Sequence, residues 1–411
     1  MILAGGRGDR LSLLTKNRTK PALTFGGVYR IIDFSLSNCI NSELHQIYVL
    51  TQYKSGSLNR HIQEGWGISS SGLRDYFIYT VPAQQRVGEE WYMGTADAIR
   101  QNADLILEQS PECVLILSGD HVYKMDYRLM INYHRNKGAD LTVAAIEFPK
   151  EQAAKDFGII EIDKNYRMTG FEEKPTLRGI EPRTIPGSDN VLSSMGVYLF
   201  NTNTLIHSLN EIGDDFGRDI IPKMIGKHKI SVYNYTTENE IRDYIYEIRD
   251  GIREKVLVDR TKDSSYWRDI GTIKSYYDAH MDLIGVDPAL NLYGEEWAFR
   301  TSRKQYPGAK FIFNETRTID SVISDGCIIS GGIVVKSVLS PGVVVEKDAL
   351  VEESILLDGV EVGSNARIRK AIIDKGVKIS PGASIGYDLE EDIKRFTVDS
   401  GIVVVPKGLR V

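Results

Sequence analysis

A glycine-rich turn, a cationic stretch just after it and two separate carboxylates carry the chemistry that this sequence offers. Residues 3–11, LAGGRGDRL, set three glycines directly after a short apolar run, and residues 14–23, LTKNRTKPAL, add further cations. A glycine turn after a strand lets backbone N–H groups approach phosphate oxygens closely, and Arg10 and Lys20 would neutralise the charge of a polyphosphate held there. The turn is neither a GxGxxG dinucleotide fingerprint nor a Walker loop, because no Gly-Lys-Ser/Thr closes it. Alone it is also an ordinary tight turn; the two cations favour a phosphate cradle. Asp120 follows the apolar run CVLIL, and Asp269 stands in WRDIG ahead of a helix that Thr272 could cap. A carboxylate at the carboxyl end of a parallel strand faces the ligand crevice of such a sheet, although a lone Asp there also forms turns. The seven histidines form no HxxxH pair and no His/Cys cluster, so a zinc site is not expected; the GxSxG string GASIG at 382–386 falls among Gly-cornered repeats rather than at a strand-to-helix elbow, so a serine hydrolase is not expected either.

These residues need a sheet to bring them together. Up to about residue 285, apolar runs at 1–4, 46–51, 113–117 and 141–148 alternate with helix-compatible stretches such as 33–41, the pattern of a mainly parallel sheet covered by helices. After Thr95, a candidate cap, Ala96, Ile99, Ala103 and Ile106 fall on one face of a single expected helix. GIIEI and RMTGFEEK, separated by DKNY, predict an antiparallel hairpin inserted beside the sheet. Residues 286–316 lose periodicity and read as a linker. Beyond it SVIS, SVLS, SILL and AIID recur from 321, 337, 354 and 371, each followed by a corner at Gly326, Gly342, Gly359 or Gly376. A period of about 17 residues kept through four repeats predicts a parallel β-helix over 317–411, in preference to a small antiparallel sandwich.

GGRGDRL, LTKNRTKPAL and FGGVYRIIDFSLSNCINS resemble the opening of the ADP-glucose pyrophosphorylases, that is, glucose-1-phosphate adenylyltransferases of bacterial type. Similarity continues through PAQQ, WYMGTADAI, LSGDHVYKMDY, GFEEKP, SSMGVYLF, DFGRDIIP and YWRDIGT. The resemblance implies an α/β fold: a Rossmann-like nucleotidyltransferase domain at 1–285 and a left-handed β-helix at its C-terminus. It implies that ATP and glucose 1-phosphate give ADP-glucose and pyrophosphate for glycogen synthesis, with Mg²⁺ on Asp120 and Asp269 and with Arg10 and Lys20 on the phosphates. Leu3, Ala4, Gly5, Gly6, Gln84, Gly94 and Thr95 would hold the nucleotide. Tyr92, Gly158, Glu173, Lys174, Ser194 and Tyr198 would form the sugar-phosphate pocket, with Lys174 on the phosphate and Glu173 on sugar hydroxyls; Tyr92, with Met93, suits a core equally well, and Ser194 and Tyr198 also suit a core-facing strand. Two other readings remain: a non-catalytic regulatory subunit of the same fold, and a nucleotidyltransferase for another sugar or base. A homotetramer is expected, with a regulatory paralogue as an alternative partner.

Composition agrees with such an enzyme and excludes other classes. The 411 residues carry 50 Lys and Arg against 56 Asp and Glu, a net charge of −6, without the basic footprint of a general nucleic-acid binder. No uncharged apolar run approaches the roughly 20 residues of a membrane span. Cys39, Cys113 and Cys327 are odd in number and lie in or beside apolar stretches, which predicts free thiols and a reducing compartment. The N-terminus lacks the basic segment and long apolar core of a signal peptide, so a cytoplasmic location is expected. The chain begins inside its first strand, which points to a natural start a few residues earlier. One departure from the family concerns control: Val28 follows FGG where many bacterial members place a Lys that helps hold fructose 1,6-bisphosphate. Arg30, His45, Arg367, Arg369 and Lys370 are the remaining candidate cations, and weak activation is expected.

Overall fold

The computed structural model describes residues 1–6, 8–67, 76–84, 91–153, 155–179, 181–185 and 187–411. The short strand Ile2–Ala4 lies inside the main sheet because parallel strands flank it on both sides, Gln46–Thr51 and Cys113–Ser118. Phe77–Pro82 extends the sheet beyond Gln46–Thr51, again in parallel. On the other flank Asn190–Asn201 runs antiparallel to Cys113–Ser118, Leu141–Pro149 and Gly158–Ile162, and Ile230–Asn234 pairs in parallel with Leu141–Pro149. Strands covered on both faces need continuous apolar or small side chains. Leu141–Ile146 and Ile230–Asn234 accordingly bury every residue.

Two sequence expectations change in detail. The helix after residue 95 is two helices, Thr95–Arg100 and Ala103–Gln109. At the break Asn102 Nδ2 donates to the Ala98 carbonyl (2.8 Å), a side chain competing for a helical acceptor, while the Asn102 N–H turns to Ile99. The hairpin of Gly158–Ile162 and Met168–Glu173 belongs to the main sheet as its edge, rather than lying beside it, because Gly158–Ile162 pairs with Asn190–Asn201.

The C-terminal part is a left-handed β-helix whose stacked strands pair in parallel in three sheets, closed at its end by Thr397–Asp399 antiparallel to Ile402–Val405. Val338, Ile355 and Ile372 stand directly above one another, as do Val334, Val351 and Ile368. Left-handed corners explain the recurring glycines: Gly326, Gly342, Gly359 and Gly376 all have φ between 66° and 74°. Serines brace another corner, where the Ser321, Ser337 and Ser354 hydroxyls accept the backbone N–H of Ser337, Ser354 and Ala371 in the next turn. The first strand of the stack, Lys310–Ile312, falls within the segment expected to be linker and pairs with Ile328–Ser330.

The two parts share one core. Ile355, Leu357, Ile372, Ile402 and Val404 of the β-helix pack with Leu11, Leu14, Phe25 and Tyr276. The buried Arg18 guanidinium meets Asp374 across this junction. Cys39 and Cys327 are buried and Cys113 is half-buried, all three as free thiols.

Candidate active site

The cleft opens at the carboxyl ends of Ile2–Ala4, Gln46–Thr51 and Cys113–Ser118 and has a volume of about 970 Å³. The glycine turn forms its floor. Gly8 adopts φ 67°, and its carbonyl accepts from the Leu11 N–H (3.0 Å) and the Thr15 hydroxyl (2.9 Å), which folds the chain into the 3-10 turn Asp9–Thr15. Gly5 lies against Gln52, with space for a Cβ only 3.1 Å from the Gln52 Cβ. Backbone therefore faces the cleft where a larger residue would crowd it.

Three residues far apart in sequence meet here. Lys20 is buried, and its Nζ stands 2.9 Å from Asp120 Oδ2 and 2.8 Å from Asp269 Oδ1. Asp120 arrives from the strand Cys113–Ser118 through Gly119, and its other oxygen accepts from the Ser118 hydroxyl. Asp269 arrives because Trp267–Asp269 pairs antiparallel with His121–Tyr123, placing it opposite His121. Burial alone would raise the Asp120 pKa, but the Lys20 ammonium, His121 and the Ser118 hydroxyl outweigh it and hold the carboxylate well below its usual range. Burial works against the Lys20 charge too; the two carboxylates outweigh it and raise the Lys20 pKa. Arg10 is exposed and lies against Gly271, next to Asp269. As expected, Thr272 caps the helix Ile273–Met281, accepting from the Ser275 N–H.

A buried cluster fixes the strand pair beside these carboxylates. Lys124, directly after His121–Tyr123, is fully buried with Asp263 at 3.3 Å and Asp243 at 3.5 Å. Asp263 precedes Trp267–Asp269, so one ammonium ties the strand pair together at its far end. Asp243 also accepts the N–H groups of Glu295 and Glu296 (both 3.0 Å), which joins the segment leading to the β-helix.

At the opposite end of the cleft, Gly158, Glu173, Lys174, Ser194 and Tyr198 come together with Asp215 and Gly217. A Cβ on Gly158 would lie 2.7 Å from Glu173 Oε2, so the glycine makes room for that carboxylate. Burial raises the Glu173 pKa; Lys174 opposes this and Asp215 adds to it. Lys174 has φ 48°, donates its N–H to the Phe157 carbonyl (3.1 Å), and keeps its half-exposed ammonium 3.9 Å from Glu173. The strand Asn190–Asn201 loses register between Ser194 and Tyr198, around Gly196 at φ 66°. This irregularity brings both residues to the cleft, with the Tyr198 ring packed near Phe216.

At the remaining wall Leu3, Ala4, Gly6, Tyr92, Gly94 and Thr95 all line the cleft. Tyr92 is half-buried, and its hydroxyl accepts from Asn102 (2.9 Å). Thr95 does not cap its helix. The Asp214 carbonyl does so instead, accepting from Ala96 (2.8 Å) and Asp97 (3.1 Å), and Gly94 permits this because a Cβ would meet that carbonyl at 2.3 Å. The Thr95 hydroxyl donates to Asp215 (3.0 Å) and accepts from the Phe216 N–H, linking this wall to the opposite end of the cleft. Gln84 is exposed and is not among the lining residues, while Arg7 and Gln85 of the quoted motifs lie outside the described residues. Sequence reasoning passed over Gln52, Ser118, His121 and Asp215. Position was the missed signal for Gln52, since it directly follows a parallel strand, and adjacency to Asp120 was the signal for His121.

The donor set suits a hard divalent cation. Ligand atoms of Asp120, His121 and Asp269 all lie within 4.8 Å of one another, and Lys20 already places a positive charge between the two carboxylates. Two carboxylates with room for phosphate oxygens and water are what Mg²⁺ takes.

A second, smaller pocket of about 160 Å³ sits between the two parts, lined among others by Arg18, Arg30, Asp374, Lys375 and Lys407. Burial first, then Arg30, lowers the Lys375 pKa to about 8, against the pull of Asp358 at 2.9 Å. Of the cations singled out for an effector, only Arg30 lines this pocket. His45 stacks on Tyr76 and Arg367 lies over Tyr387, so the expected set does not converge.

The nucleotidyl transferase family matches residues 1–285, and the GlmU-like C-terminal hexapeptide family matches residues 307–405. Among curated relatives, a glucose-1-phosphate adenylyltransferase of Koribacter versatilis is 46% identical, covering 99% of this chain and 94% of its own length. Glucose-1-phosphate adenylyltransferase 1 of Vibrio cholerae is 49% identical, and the enzyme of that name from Anaeromyxobacter dehalogenans 48%, each over 100% of this chain and 98% of its own.

Proposed function

The chain belongs to the glucose-1-phosphate adenylyltransferases, and from that premise we propose how its cleft divides the work. The observation that carries the reading is the meeting of Lys20, Asp120 and Asp269 beside the glycine turn. An oxygen of the glucose 1-phosphate phosphoryl group attacks the α-phosphorus of ATP, the bond from that phosphorus to the bridging oxygen breaks, and pyrophosphate leaves with the electron pair. The nucleophile is already anionic, so no general base is required. Catalysis comes from in-line positioning and from neutralising charge on the α-phosphoryl group and pyrophosphate. Arg10, Lys20 and the N–H groups of Gly5 and Gly6 take the triphosphate. Leu3, Ala4, Gly94 and Thr95 frame the adenosine. Glu173 accepts from sugar hydroxyls beside Ser194, Tyr198, Tyr92 and Gly158, and Lys174 holds the sugar phosphate. Mg²⁺, held by Asp120 and Asp269, would supply further charge stabilisation when bound.

The larger reading is a cytoplasmic homotetramer in glycogen synthesis, with a catalytic domain at 1–285, a connection at 286–316 and the β-helix at 317–411. It is subject to allosteric control through the cationic pocket between the two parts. A non-catalytic role is disfavoured because the phosphate and carboxylate residues are all present. The test is incubation of the purified chain with glucose 1-phosphate, Mg²⁺ and each of ATP, UTP, GTP and dTTP while pyrophosphate is followed. Release dependent on both substrates and fastest with ATP is expected; preference for another nucleotide would overturn the adenylyl assignment, and no release would overturn catalysis.

A further inference from the structure

Away from the cleft, Asp243–Arg249 and Ile252–Val258 form an antiparallel ribbon that pairs with no other strand among the described residues. Its two-residue turn, Asp250 and Gly251, has φ 51° and 77°, the left-handed pair that suits a tight hairpin. In such a hairpin Arg249 and Ile252 exchange both backbone hydrogen bonds, and every second pair from there does the same. Tyr244, Tyr246 and Ile248 therefore turn their N–H and C=O groups outward along one edge, and Arg253, Lys255 and Leu257 along the other.

The two edges are built differently. Arg253 and Lys255 guard the second edge, and long cations are a common device against strand addition. They lie over the rings of Tyr246 and Tyr244, both at 4.1 Å, and Lys255 is held by Glu295. The first edge has no charged residue at its outward positions, and Tyr246 and Ile248 are 53% and 79% exposed. Asp243 Oδ1 already accepts the Tyr244 N–H (2.7 Å), so pairing would fray at that end only.

We propose that this open edge pairs with the same edge of a second copy of this chain, antiparallel and centred on Tyr246. That register sets Tyr246 against its symmetry mate and Ile248 against Tyr244, aromatic and apolar cross-strand pairs that stabilise a ladder. The equivalent pairing of the guarded edge would put Lys255 against Lys255. On the reverse face Glu247 is already neutralised by its own Arg249 (2.7 Å). A four-stranded ribbon is smaller than the ~1,200 Å² of a stable interface, so it sets register within a larger contact between copies. The inference rests on the homo-oligomeric reading above.

Tyr246→Cys should form a disulfide-linked dimer under mild oxidation, because directly opposed residues in such a pair stand about 5.5 Å apart at Cα, within disulfide reach. Ile252→Cys, on the other strand and 66% exposed, measures random collision. Ile248→Lys should raise the concentration at which the oligomer dissociates about tenfold in sedimentation, with unchanged thermal unfolding. Equal crosslinking of the two cysteine variants, or dissociation unmoved by Ile248→Lys, overturns the ribbon contact and leaves the oligomer standing. A monomeric wild-type chain overturns both.

Discussion

The cleft and the pocket between the two parts use the same residue types in opposite proportion. In the cleft one ammonium, Lys20, is shared by two carboxylates, Asp120 and Asp269, so negative charge is in excess at that point. In the pocket Arg18, Arg30, Lys375 and Lys407 outnumber Asp374 and the neighbouring Asp358. Excess carboxylate suits a divalent cation and excess guanidinium and ammonium suits an anion. The ligand of each site follows from its charge balance more than from any single residue.

The largest test of this contrast is at the junction. Asp374→Asn leaves the Arg18 guanidinium buried without its carboxylate, and removal of one partner from a buried pair costs about 3–5 kcal/mol. A denaturant unfolding curve shifted by less than about 1 kcal/mol would mean that water reaches this pair and that the pocket is more open than its burial implies. In the cleft, Asp120→Asn should keep the fold but lower turnover about a hundredfold to a thousandfold, the scale of other preorganised charge-stabilising groups. Retention of half the wild-type rate would remove Asp120 from the mechanism.

Lys174→Gln should raise the KM for glucose 1-phosphate about tenfold with little change in turnover, because that phosphate's charge is bound alike in ground and transition states. If the KM for ATP rises instead, Lys174 belongs to the nucleotide. The pocket should respond more weakly. With Val28 in place of a cation, activation by fructose 1,6-bisphosphate at subsaturating ATP should stay below about fivefold, under about 1 kcal/mol of coupling. The attraction of any anion should also fall as pH rises through about 8, where Lys375 loses its proton. For stability the sign is opposite: the folded chain sheds that proton before the unfolded chain does, so stability should rise from about pH 8 toward the ordinary lysine value.

What was legible in the sequence depended on whether neighbours in space were neighbours in the chain. In the β-helix each rung lies on the rung before it, so a spacing of about 17 residues announced the stack and its glycine corners. The cleft was legible residue by residue through motifs, but not in its contacts. Nothing local in the sequence says that Asp214, more than a hundred residues away, caps the helix at Thr95, or that Gly94 serves that carbonyl. Lys124 gave no signal, since a lysine is the last residue expected at full burial until Asp243 and Asp263 are seen beside it. The effector cations failed for the same reason: Arg367 and Arg30 look alike as letters, and only the fold puts one over a tyrosine and the other in a pocket.

The sharing of Lys20 also constrains how such a chain can change over generations. A lineage that gave up catalysis could not drop Lys20 alone, because two partly buried carboxylates would then face each other uncompensated, nor lose both carboxylates and keep a buried ammonium. Loss therefore has an order: one carboxylate can go while the other still meets Lys20. A descendant retired to a purely regulatory role should therefore have lost Asp120 or Asp269 before Lys20, or else have kept a dormant but intact set that a few changes elsewhere could return to work.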